Sequence, residues 1–154
     1  MTFVVFFLIS CGGKEKSTNQ TKKLMIQDSE SPLVFEPGNY VAESDSSSVL
    51  WECSWIGGRK HNGDVYLQQG SVNIKNNGMI SGDFVVDMKS IQCSDLTNNG
   101  ARNKLIRHLK SDDFFDVEKH QKATLEIQSS ENIVGNNYLF NGSLTIKGIT
   151  NPIQ

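Results

Sequence analysis

The residues of this chain that could do acid–base, nucleophilic or metal chemistry are three histidines, three cysteines and 17 carboxylates. Their spacing supports little of it. His61, His108 and His120 match no metal-ligand signature, and no Cys-x-x-Cys pair occurs. No Ser-His-Asp order, paired catalytic carboxylates or glycine-rich phosphate loop is recognisable. The histidines read as surface or hydrogen-bonded groups that fix loop geometry. Asp87, mid-strand among apolar residues, reads as a structural hydrogen-bond acceptor. Asp112, Asp113 and Asp116 read as loop and cap residues. The expectation is a protein that is not an enzyme and holds neither a metal nor a cofactor.

The elements that position these residues belong to one domain, as 154 residues suggest. A formal net charge of −2 offers no field to attract nucleic acid. With 21% charged and 37% hydrophobic residues the chain has a globular balance. Thirteen glycines against three prolines point to many tight turns and so to β structure.

The start of the chain is different. Phe3 to Ile9 is continuously apolar, too short to span a bilayer but long enough for the core of a secretory signal. Leu8-Ile9-Ser10-Cys11 resembles a bacterial lipobox, in which a small residue gives the signal peptidase access and the Cys11 thiol accepts the diacylglyceryl group. Met1-Thr2 supply no Lys or Arg, with which a signal ordinarily opens. The competing reading is a hydrophobic N-terminal strand followed by an ordinary cysteine. Residues 12–38 read as a flexible linker, polar through Lys23, in which Leu33, Val34 and Phe35 dock on the domain at 39–154. The lipobox reading implies a periplasmic or outer-membrane lipoprotein, held to the membrane by a lipid anchor. Export also exposes Cys53 and Cys93 to an oxidising compartment. A disulfide between them and two separate half-buried thiols fit the sequence equally, since a bridge needs Cα atoms within ~7 Å.

From Tyr40 the pattern is one of short alternating runs. Ser48–Trp55 reads as a strand, and His61-Asn62-Gly63 begins the next. Val65 and Leu67 share a face, and Gly70 punctuates before Val72 and Ile74. Asn76-Asn77-Gly78 is a turn, because Asn and Gly tolerate positive φ. Met79–Ile91 reads as one long strand with Ile80, Gly82, Phe84, Val86 and Met88 on one face. The period then becomes helical over Ala101–Lys110, where Leu105, Ile106 and Leu109 recur and Lys104, Arg107 and Lys110 lean toward the C-terminal end. Ser111-Asp112-Asp113 ends the helix, and Phe114 and Phe115 re-enter the core. Ala123, Leu125 and Ile127 mark another strand. Tyr138, Phe140, Gly142, Leu144 and Ile146 line one face of a further one. The fold class is all-β, mainly antiparallel, with one inserted helix and about six strands.

Several stretches, taken in order, resemble the YceI-like family of bacterial polyisoprenoid-binding proteins. They are Trp51 with His61-Asn62-Gly63; Gly82 to Ile91 with Asp95-Leu96; Lys104-Leu105 with His108 to Val117; Ala123 to Ile127; and Asn141 to Thr150. The resemblance implies a lipocalin-like eight-stranded antiparallel barrel with an elongated apolar cavity, in a periplasmic or secreted protein. It implies as partner an apolar, isoprenoid-like or quinone-like small molecule, bound without covalent linkage. Phe84, Val86, Met88, Leu105, His108, Leu109, Phe114, Phe115, Phe140 and Leu144 are then the cavity-lining candidates. His108 is the histidine best placed to meet a polar head group. Cys53 and Cys93 stand outside the family pattern. The family continues beyond the equivalent of Pro152 with further strands, so the resemblance implies an incomplete barrel here. Two other readings remain: an envelope stress or adhesion protein acting through protein contacts with a filled barrel, and a metal or redox protein using His61, His108 and the cysteines.

Overall fold

In a computed structural model of the chain, residues 2–4, 35–54, 58, 60–134 and 136–154 are described. The expectations for Cys11, for most of the linker and for Leu33 and Val34 lie outside the described residues.

The strands are β1 (Thr2–Val4), β2 (Gly38–Val41), β3 (Ser48–Ser54), β4 (Lys60–Ile74), β5 (Ile80–Asp87), β6 (Lys122–Val134), β7 (Asn137–Ile146) and β8 (Ile149–Ile153), with one helix, α1 (Asn99–Lys110). All pairings are antiparallel, in the order β1-β3-β4-β5-β6-β7-β8, and β2 pairs the second half of β4 beyond β3. Eight strands among the described residues replace the expected six or so. The short strands β1, β2 and β8 are added to those expected, while β4 is one strand where the sequence suggested two. Gly70 does not interrupt it. A bulge between Leu67 and Gln69 shifts the register instead, so that Leu67 and Gly70 both turn inward.

The alternating pattern becomes a core because strand side chains alternate faces. Val49, Trp51 and Cys53 of β3 are buried, as are Val65 and Leu67 of β4, Phe84 and Val86 of β5, and Ala123 and Leu125 of β6. The expected face of β5 is therefore observed. The strand itself stops at Asp87, short of the expected Ile91. Asp87 Oδ1 accepts from the Lys89 amide at 2.9 Å and its carbonyl accepts from Ser90 Oγ at 2.6 Å. These local bonds replace ladder bonds and wind Met88–Ser90 into a 3-10 turn.

After that turn the chain returns to the same edge of β4. The Gln92 amide donates to Asp64 O and the Ser94 amide to Asn62 O, so residues 92–94 act as a further edge segment. Asn98 caps α1, its Oδ1 accepting from the Ala101 amide at 3.0 Å. Ser111 ends the helix, its amide reaching Arg107 O and His108 O and its hydroxyl His108 O. Leu109 is fully buried, and Leu105 and Ile106 pack against the core.

The β7–β8 hairpin closes through Lys147-Gly148, with φ of +51° and +72° between the paired Ile146 and Ile149. Positive φ at both positions is what a two-residue turn of matching twist requires. Among the described residues no pairing joins β8 to β1 or β3, so the sheet is not closed. At the other end, β1 runs along β3 with Phe3 opposite Cys53.

Candidate functional site

The sheet curls until the inner faces of β3 and β7 meet across one space. Val49 and Trp51 of β3 and Leu144 and Ile146 of β7 line a single cleft, although β4, β5 and β6 stand between them in the pairing order. Val65, Val86, Ala123, Thr124 and Leu125 form its floor, and Met88, Ile91 and Phe115 complete it from the segments after β5 and after α1. The exposed lining is apolar throughout. It is narrow: the cavity proper is about 50 Å³, within about 530 Å³ of empty space that is partly open to solvent.

Trp51 shows how a polar atom is kept out of this lining. Its Nε1 donates to Gln92 O at 2.9 Å, which satisfies the indole and leaves the ring as apolar wall. Gly63, the partner of Trp51 across β3 and β4, permits this approach. A Cβ on Gly63 would lie 1.9 Å from Gln92 O and 2.9 Å from Cys93 Cα. The glycine is required because another piece of backbone lies against it.

A polar cluster sits beside the cleft. Asp95 Oδ2 lies 2.8 Å from His61 Nδ1, and Asp95 Oδ1 accepts from the Asn62 amide at 3.1 Å and from Cys93 Sγ at 3.2 Å. Burial works to raise the Asp95 pKa, but the bonds from His61, Asn62 and Cys93 outweigh it and hold the carboxyl below its ordinary range. Cys53 and Cys93 are both pushed up, first by burial and then by the negative charge of Asp95, against backbone amides that act the other way. Thiols so placed stay protonated at neutral pH and are poor nucleophiles. The cluster is a clamp: Asp95 fastens residues 93–95 to β4. The disulfide weighed for Cys53 and Cys93 is not formed; both are free, buried thiols packed in the hydrophobic core. Among the described residues no group of three or more His, Cys, Asp or Glu side chains is placed to hold a metal.

A family model described as the YceI-like domain matches residues 40–154. The chain belongs to the YceI-like family. No curated protein sequence matches it. The all-β, mainly antiparallel architecture with one helix agrees with the lipocalin-like fold that the resemblance implied.

Within this YceI-like domain the ten cavity candidates divide. Val86, Met88, Phe115 and Leu144 line the cleft. Phe84 is buried in the same core but stands beside Gly70 and Leu67, outside the lining. Leu109 is fully buried and Leu105 half-buried, so α1 fills the core with them rather than presenting them to a ligand. Phe114 packs edge-on against Phe115, with centroids 4.5 Å apart. Phe140 lies away from the cleft and stacks with Tyr138, which also meets Phe35 at 6.0 Å. His108 is exposed, its ring 6.0 Å from that of Phe114, and it does not face the cleft.

Sequence reasoning missed Val49, Trp51, Val65, Ile91, Ala123, Thr124, Leu125 and Ile146 as lining residues. The signal was present for most of them. Val49 and Trp51 alternate in phase on β3, and Ala123 and Leu125 on β6, just as Val86 does on β5. What the pattern lacked was the curl that turns three separate inner faces toward one space.

Proposed function

We propose that the protein binds a slender apolar chain, of the isoprenoid type that the family resemblance implies, in the cleft between β3 and β7. The observation that carries this reading is the lining: a cleft between β3 and β7 of one curled sheet, whose exposed surface carries no polar group. Apolar surface left open in this way gains on contact with hydrocarbon, about 0.8 kcal/mol for each methylene buried. A branched but thin polyisoprene tail suits a narrow slot, and a polar head group would remain at its mouth. The protein would then act in the cell envelope as carrier, store or sensor, tethered through lipidated Cys11. Mass spectrometry of organic extracts from purified full-length protein tests the reading. A co-purifying isoprenoid lipid, or stoichiometric uptake of added isoprenoid quinone, is expected. A lipid-free protein that takes up none would overturn it.

One observation favours a second reading. The freely accessible space, about 50 Å³, falls well below the ~300 Å³ at which ligand pockets ordinarily begin. On this reading the barrel is filled and the protein acts in the envelope through protein contacts. The two readings part on whether the walls over Leu144 and Ile146 spread to admit a chain.

A further inference from the structure

Helix α1 carries Arg102, Lys104, Arg107, His108 and Lys110 and no acidic residue, in a chain whose formal net charge is −2. Its charges are not equally employed. Lys110 Nζ donates to Lys89 O at 2.6 Å, and Arg102 bonds to Asn99. Lys104, Arg107 and His108 lie on the exposed side of the helix at spacings of three and four, hence on one face. Neither Lys104 nor Arg107 has an ion-pair partner among the described residues. Cations in a last turn serve the helix dipole, which accounts for Arg107 and Lys110. Lys104 is mid-helix, beyond that effect. The nearest acids in sequence, Asp112 and Asp113, fall past the helix end; Asp112 is close to Lys119.

The position of this face gives it meaning. Lys110 ties the last turn of α1 to the 3-10 segment at Lys89, and the Phe115 amide donates to Leu109 O at 3.1 Å. Both connected segments, through Met88 and Phe115, line the apolar cleft. The apolar side of α1 is spent on the core, so the helix has no hydrocarbon face left to insert. We propose that the outer face of α1 docks the domain on an anionic membrane surface, by charge alone, beside the cleft. The docking stands apart from the reading of the cleft and can fail without it.

The test is sedimentation of the full-length Cys11→Ser protein, which carries no lipid anchor, with vesicles of phosphatidylglycerol and phosphatidylcholine, and with vesicles of phosphatidylcholine alone. It should bind the anionic vesicles, release on raising the salt from 0.05 to 0.5 M, and leave the neutral ones unbound. Lys104→Gln with Arg107→Gln should weaken binding roughly 30-fold, about fivefold for each charge near the surface. Lys75→Gln with Lys122→Gln, an equal loss of charge elsewhere, should change it less than twofold. The polar N-terminal residues are common to all variants and cancel. Equal loss in both double variants, or in neither, overturns the proposal. Should the Gln pair fold poorly, Lys104→Arg with Arg107→Lys keeps the charges and must keep the binding. A protein that binds vesicles but takes up no isoprenoid quinone refutes the cleft reading alone; uptake without vesicle binding refutes the docking alone.

Discussion

Trp51 and Gln92 are joined by a hydrogen bond from indole Nε1 to backbone carbonyl, 2.9 Å long and spanning 41 positions of sequence. It fixes the segment after β5 against β3, and with it the side of the cleft that Ile91 lines. The contact depends on the absence of a side chain at Gly63.

Gly63→Ala should therefore be costly. The new methyl would overlap Gln92 O, and residues 92–94 must retreat or β4 must bend. A loss of about 2–4 kcal/mol is expected from an overpacked, backbone-lined site. Urea unfolding followed by circular dichroism measures it, and a variant within 0.5 kcal/mol of wild type would show that the two backbones are not pressed together.

Asp95 makes the stability of the domain acid-sensitive. Its folded pKa lies below the ordinary carboxylate value, burial being outweighed by the bonds from His61, Asn62 and Cys93. The stabilisation is complete above the unfolded value of about 3.9 and is lost as pH falls from there through the folded value. Asp95→Asn should cost about 1–2 kcal/mol at pH 7, and the gap between variant and wild type should narrow below about pH 4. A gap that stays constant from pH 7 to pH 3 would contradict the clamp.

Cys53 and Cys93 should resist alkylation. Both thiols are buried and pushed up, so iodoacetamide at pH 8 should label them at least tenfold more slowly in the native protein than in urea. Mass mapping after timed quenching reads this directly. Fast native labelling of either would place that thiol at the surface, and failure to label in urea without reductant would reveal a bridge.

The anchor proposed at Cys11 is tested by fractionation. In 0.5 M salt, which removes binding by charge, wild type should still partition with membranes and Cys11→Ser should be released to the soluble fraction. A wild type that is soluble in 0.5 M salt would end the lipobox reading.

Ala123 offers a way to block the cleft without removing any partner of the clamp. It is buried, small and part of the lining. Ala123→Phe should fill the slot and reduce uptake of an isoprenoid quinone at least tenfold, at a stability cost of about 1–3 kcal/mol. Full uptake by a folded variant would place the ligand elsewhere.

The sequence was informative where physics is local. The period-two burial of β5, the helical period of α1 and the stop at Ser111 each depend on neighbours a few positions away. The turn at Met88–Ser90 was missed because the apolar alternation runs on through Met88, while the decisive bonds, from the Lys89 amide and the Ser90 hydroxyl to Asp87, are invisible to a hydropathy pattern. The unity of β4 was missed because Gly70 looks like punctuation; it is buried beside Leu67 and Phe84, where no larger side chain fits. Eight of the twelve lining residues were hidden because they depend on which strands the curl brings together. His108 seemed apt for a head group because its helix was expected at the barrel mouth, but α1 sets it on the outer face, since Leu105 and Leu109 claim the inner one.

The central claim is that the space between Trp51 and Leu144 receives an apolar chain. It is tested most directly by titrating isotopically labelled protein with a short-chain isoprenoid quinone and following the methyl resonances. The account predicts saturable shifts at Met88, Leu125, Leu144 and Ile146, with those of Ile133 and Ile149, which lie outside the lining, unmoved. Unchanged spectra at saturating quinone, or shifts confined to residues outside the cleft, would contradict it.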